Sequence, residues 1–195
     1  MYKITKTPVL ILSTPRTGST VLGMYIKSLC EKDILYWPEP DDTGHLDKFL
    51  KYFEYSKYFI LKTHYINLHR YGTEVSDYLL NQTYKIRIRR KDFVKQIASL
   101  HTAIVRNNGY HFRNKDQLNF SDTIPINVDH IQTHIEYLKN ANAMLDTAPV
   151  DFDLDLYYED LPTIDDAGFY ITPKPSNYDE LLYTIKKLVE DNGPA

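Results

Sequence analysis

The sequence predicts an α/β fold in three layers, with a central parallel sheet flanked by helices. Two patterns carry that expectation. Short apolar runs alternate along the chain with longer segments whose apolar residues recur at helical spacing, as crossover helices joining parallel strands require. The first run, Val9 to Leu12, is apolar on consecutive residues, which suits a strand covered on both faces. At 195 residues, with no internal repeat, low-complexity tract or obvious linker, a single domain over 1–195 is expected.

The elements follow in order. After the first strand, Gly18 to Glu31 carries a helical stripe of Val21, Leu22, Tyr25, Ile26 and Leu29. Ile34 to Trp37 reads as a second strand running into the loop Pro38, Glu39, Pro40. His45 to Tyr55 is a helix with Leu46, Phe49, Leu50 and Phe53 on one face. Tyr58 to Thr63 is a third strand and Thr73 to Asn81 a short helix. Tyr84 to Arg89 alternates Ile86 and Ile88 with Arg87 and Arg89, a fourth strand. Asp92 caps a helix from Phe93 to about Arg106. The polar stretch from Asn107 to Pro125 reads as a loop or lid. Val128 to Leu145 is a long helix, Phe152 to Leu156 a fifth strand, and Tyr178 to Asp191 the last helix. In such sheets ligands bind at the carboxyl ends of the strands.

Composition narrows the function classes. Hydrophobic residues make up 43% and charged residues 25%, the balance of a soluble globular chain. A net charge of -3 speaks against a nucleic-acid partner, which usually demands a basic excess. The single cysteine, Cys30, allows no intrachain disulfide and suits a reducing compartment. No apolar stretch is long enough for a membrane span, and the run from Pro8 to Leu12 is too short for a signal-peptide core. A cytoplasmic protein without a membrane partner is the expectation. No His, Cys and carboxylate cluster has metal-ligand spacing, so no metal is expected.

The loop after the first strand is Ser13, Thr14, Pro15, Arg16, Thr17, Gly18, Ser19, Thr20. It has the frame of a phosphate-binding P-loop, with Ser13 in place of the first glycine and Ser19 in place of the lysine. Amides around Gly18 and at the start of the next helix form a nest for an anion. Arg16 supplies positive charge, and Ser19 and Thr20 add hydroxyls. A serine- and threonine-capped helix with no ligand is the plainer alternative. The lost Gly-Lys pair argues against an ATP or GTP hydrolase, which needs that lysine on the β- and γ-phosphates.

Further segments stand at expected carboxyl strand ends. The third strand finishes Lys62, Thr63, His64; the fourth runs Arg87, Ile88, Arg89, Arg90, Lys91, Asp92; the fifth leads into Tyr157, Tyr158, Glu159, Asp160, Leu161. A neutral imidazole takes the proton of an attacking hydroxyl, and an ammonium beside it stabilises charge on a departing phosphate oxygen.

Together the Pro-Arg-Thr-Gly-Ser-Thr loop, the Lys-Thr-His end and the Tyr-Glu-Asp-Leu segment resemble the sulfotransferases that use 3'-phosphoadenosine-5'-phosphosulfate (PAPS). The resemblance lies in motifs and layout and spans roughly Val9 to Leu161. It implies a P-loop-like fold, transfer of a sulfuryl group from PAPS to a hydroxyl or amine acceptor, release of 3',5'-bisphosphate adenosine (PAP), and no metal. By the same resemblance Pro15, Arg16, Thr17, Gly18, Ser19 and Thr20 hold the 5'-phosphosulfate, His64 is the base, Lys62 contacts the transferring group, and Tyr158 lies near the adenine. The family binds the 3'-phosphate with an arginine eight residues before a serine. Counting back from Ser99 lands on Lys91, with Arg90 one residue off, so either residue could fill the role. The family's Arg-Lys-Gly-x-x-Gly-Asp-Trp-Lys-like closing segment has no counterpart here; Lys174, or Arg106 and Arg113, are candidates to replace it.

Glu39 rivals His64, since some bacterial members carry a glutamate base after the second strand. Two flanking prolines hold it stiffly. His64 is favoured as base, with Glu39 as a further catalytic or ligand residue. The acceptor, a small molecule, glycan or phenol, is expected against Trp37 to Asp42, Tyr65 to Tyr71 and the Asn107 to Pro125 loop, whose aromatics are Trp37, Tyr65, Tyr71, Tyr110 and Phe112. Two alternatives stand: a P-loop kinase for a small molecule or nucleoside, and a module that binds the nucleotide without chemistry. Nothing in the sequence fixes the oligomeric state.

Overall fold

The structure, a computed structural model, describes residues 8–30, 34–41, 43–107, 123–161 and 174–191. The chain gathers into two compact units: 1–89 with 141–167, and 90–140 with 168–195.

The first unit is built on five parallel strands: β1 (Val9–Ser13), β2 (Leu35–Pro38), β3 (Phe59–His64), β4 (Tyr84–Arg89) and β5 (Leu154–Tyr157), in the order β2-β3-β1-β4-β5. Its helices are α1 (Ser19–Leu29), α2 (Leu46–Tyr55) and α3 (Thr73–Gln82), with a 3-10 helix over Tyr65–Tyr71 and a short 3-10 turn over Tyr158–Asp160. The apolar runs form the central strands because both of their faces are covered. Alternate residues point to opposite faces. Leu10, Leu12, Phe59 and Leu61 join Phe49 and Phe53 of α2, Leu79 of α3, and Leu68 and Tyr71 in one core. Val9, Ile11, Ile60, Ile86 and Ile88 join Leu22 and Ile26 of α1, and Ile34, in the other. The three-layer α/β arrangement with an all-parallel sheet is thus as the sequence predicts.

Four strands, β1, β2, β3 and β5, differ from the expected ranges by one or two residues at an end, and at β2 and β5 the reason is visible. β2 includes Pro38, which an edge strand tolerates because its missing N–H need not serve the ladder. β5 begins two residues later than the apolar pattern suggests: Asp153 N donates to Lys85 O at 3.0 Å, and Phe152 packs beneath the Arg87 guanidinium at 4.7 Å. The 3-10 helix over Tyr65–Tyr71 is an addition that no periodicity signals.

The second unit holds α4 (Phe93–Asn107), most of α5 (Val128–Asp146) and α6 (Tyr178–Asp191). Ile97, Ala98 and Leu100 of α4 pack with Ile131, Ile135 and Leu138 of α5 and with Leu181 and Ile185 of α6. Asp92 caps α4 as expected, accepting from Lys95 N at 2.9 Å. Among the described residues no helix is long and apolar enough to cross a membrane.

Candidate functional site

The parallel ladders bring three strand ends to one edge of the first unit. Ser13 is in register with His64, and Pro38 with Lys62. Residues 60, 62 and 64 of β3 share the face that carries α1, so the Lys62 and His64 side chains lie on the side where the loop after β1 turns into that helix.

That loop is braced by its own hydroxyls. Ser13 Oγ donates to Ser19 Oγ at 3.0 Å, Thr17 Oγ1 to Thr14 O at 3.0 Å, and Thr14 Oγ1 to Asn142 Oδ1 at 2.7 Å. Pro15 and Thr17 are buried, and Arg16 and Thr20 half-buried. Arg16 (φ 65°) and Gly18 (φ 73°) both take the left-handed conformation, which curls the chain into the helix start. The first bond of α1 runs from Leu22 N to Gly18 O at 3.1 Å. The amides of Ser19, Thr20 and Val21 therefore precede any intrahelical acceptor and carry the positive end of the helix dipole. Tyr158 lies directly over Gly18: a Cβ at position 18 would overlap the tyrosine ring.

Beside this loop sits an ionic triad. Glu39 N continues the β2–β3 ladder by donating to Lys62 O at 2.7 Å, which fixes the glutamate over β3. Its Oε1 accepts from Lys62 Nζ and lies 2.6 Å from His64 Nε2. Lys62 is 1% exposed and His64 8%, so both side chains are largely out of water. Burial by itself would raise the Glu39 carboxyl. The Lys62 ammonium and the hydrogen bonds from His64 and Lys62 outweigh it and hold the group well below the usual carboxylate range. A carboxylate oxygen only accepts, so His64 Nε2 carries the proton and, in the neutral ring, Nδ1 holds the lone pair. Glu39 itself is strained: its φ is 46°, and the following Pro40 disfavours helical conformations at the residue before it.

A second carboxylate stands behind the first. Asp41 Oδ1 accepts from Thr63 Oγ1 at 3.0 Å and Tyr71 Oη at 2.5 Å, while its Oδ2 is buried with no donor among the described residues. Burial, then the Asp41 charge, pushes the Tyr71 hydroxyl far up, so it remains a donor. Tyr36 Oη donates to Thr20 O at 3.3 Å and ties β2 to the start of α1. Sequence reasoning missed Tyr36 and Asn142, and it named Asp41 and Thr63 only as members of the Trp37 to Asp42 and Lys-Thr-His segments, with no role of their own. The only available signal was Asp41 standing two residues after Glu39 in a proline-rich turn.

The structure thus brings together Glu39, Lys62 and His64, and separately seats Tyr158 on Gly18. Arg90, Lys91 and Ser99 belong to the second unit, as do Arg106 and Lys174. Arg113, Tyr110, Phe112 and Asp42 lie outside the described residues. Of the aromatics expected on the acceptor side, Tyr71 is buried in the core and Trp37 is half-buried against it. Trp37 packs against Phe49 and Tyr52 with ring centroids 5.6 Å away in each case, and Tyr71 is 2% exposed beside Phe49. Ring area packed against this core contributes more than the same area left at an open surface. Tyr65 is half-buried against the same core.

No protein-family model matches the chain, and no curated protein does. Among the described residues no group of three or more His, Cys, Asp or Glu could hold a metal ion.

Proposed function

We propose that this chain is a sulfotransferase that moves a sulfuryl group from PAPS to a hydroxyl or amine acceptor, on a P-loop-like fold. The observation that carries the reading is the buried Glu39–Lys62–His64 triad, set on the same sheet edge as an anion-ready loop. A helix start with outward amides and an αL glycine suits a 5'-phosphosulfate. Tyr158 over Gly18 suits an aromatic neighbour for a nucleotide base.

Each group then has a role. The acceptor oxygen loses its proton to His64 Nδ1 as it forms a bond to sulfur. The bond from sulfur to the bridging phosphate oxygen breaks in line, and PAP departs with that electron pair. Glu39, hydrogen-bonded to Nε2, orients the imidazole and stabilises the imidazolium that forms. It is a positioning residue more than a base, because a carboxyl held this far below its usual range attracts a proton poorly. Lys62 and the loop amides meet the charge that grows on the leaving oxygen.

Calorimetric titration with PAP, with AMP and ATP as controls, tests the reading. Binding of PAP well above both controls is the expected result, followed by an acceptor screen with His64→Ala as the inactive control. Equal or stronger ATP binding would move the kinase alternative to the front. PAP binding with no transfer to any acceptor class would favour the binding module.

A further inference from the structure

Lys62 has two incompatible duties. At rest its ammonium is joined to Glu39, yet the transfer step needs it on the departing phosphate oxygen. The same carboxylate oxygen also meets His64 Nε2 at 2.6 Å, so one atom restrains both the cation and the base. Glu39 reaches that position in a strained backbone conformation between Pro38 and Pro40. The side chains are 2%, 12% and 10% exposed for Lys62, Glu39 and His64, so water does little to weaken the pairing.

We propose that Glu39 is an internal stand-in for the donor's anion, a latch that keeps Lys62 occupied until an adenosine bisphosphate donor takes its place. The inference rests on the sulfotransferase reading and adds regulation of the same site. Anionic oxygens arriving at the loop after β1 compete with Glu39 for the ammonium. Once Lys62 transfers to them, the carboxylate has only His64 to serve, and its full charge then supports proton uptake by the imidazole. Base strength is therefore coupled to donor occupancy, and donor binds productively before acceptor. The coupling is reciprocal: whatever weakens the Glu39–Lys62 pair must strengthen donor binding.

Glu39→Gln keeps the size of the side chain and removes the competing charge. If the latch is closed in about nine molecules of ten, the variant binds PAP roughly tenfold more tightly than the native protein. The measurement is calorimetric titration of both proteins with PAP. Equal or weaker binding by a folded Glu39→Gln, with clear binding by the native protein, overturns the latch and leaves the donor reading standing. Absence of PAP binding to both overturns both. The variant leaves Lys62 buried without a counter-charge; if that keeps it from folding without ligand, far-ultraviolet circular dichroism replaces calorimetry. Recovery of the native spectrum on adding PAP is expected in that case, since the bisphosphate takes the place of the carboxylate. No recovery at saturating PAP overturns the latch.

Discussion

Ser13, the last residue of β1, is in register with His64, the last residue of β3. The phosphate-type loop and the imidazole therefore leave the sheet side by side, and their spacing is set by the ladder and not by a flexible connection. His64→Ala is expected to lower kcat by about 10²–10⁴ while PAP affinity stays close to native, the pattern of a lost general base. Lys62→Met should lower kcat and weaken PAP together. Steady-state kinetics with an acceptor from the screen, alongside PAP titration, separates the two; equal loss of PAP affinity in both variants would contradict the assigned roles.

Gly18 answers to two constraints at once. Its φ of 73° costs an alanine about 1–2 kcal/mol, and the Cβ would also strike Tyr158. Gly18→Ala is expected to destabilise the first unit and reduce PAP affinity. In a Tyr158→Ala background the steric part disappears, so a double-mutant cycle by urea denaturation should give a coupling of roughly 0.5–3 kcal/mol. Purely additive effects would mean that the ring is not a wall of the loop.

Acid should loosen the triad. Burial raises the Glu39 carboxyl, but Lys62 and His64 bring its folded value well below the 4.5 of a free side chain. A carboxyl depressed on folding contributes stability that is present above its unfolded value and is lost as pH falls toward its folded one. Stability measured by denaturant titration should therefore decline as pH drops below about 4.5, and Glu39→Gln should flatten that decline. An unchanged acid slope in the variant would mean that another carboxylate dominates.

The second unit has its own acid response. His134 is lowered from 6.5 to about 4 by burial and by His101 and His130, and its ring stands 5.4 Å from that of His101. His101 Nε2 lies 2.9 Å from Pro125 O, a pure acceptor, so Nε2 carries the proton; Nδ1 of each ring is buried without a partner among the described residues. The unfolded chain takes up protons between these two values and the folded chain resists, so stability falls as pH drops from 6.5 toward 4. Hydrogen exchange of α5 amides, native against His134→Gln, reads it: the native protein should lose protection across that window and the variant less.

Much of the fold was legible because burial leaves a mark on sequence. Val9 to Ser13 and Phe59 to His64 are central strands, and continuous apolar runs announce them; Ile86 and Ile88 betray β4 by alternation. The site was legible only in part. Lys62, His64 and Glu39 each drew attention by residue type and position, but their union depends on β2 pairing with β3 in one register, which no local pattern encodes. The packing of Trp37 against Phe49 and Tyr52 was not legible, because a strand-end aromatic looks the same in sequence whether it faces a ligand or a core. The Tyr65–Tyr71 helix escaped since a 3-10 turn has no apolar period of its own.

Trp37 is the chain's one tryptophan, and it is locked among Phe49 and Tyr52 in the first unit. Its emission is an optical label that nature has already installed on one half of the molecule. Far-ultraviolet ellipticity, by contrast, averages α4, α5 and α6 with the rest. Chaotrope curves followed by the two signals should coincide if both units come apart in a single cooperative event, and should separate if each has its own midpoint.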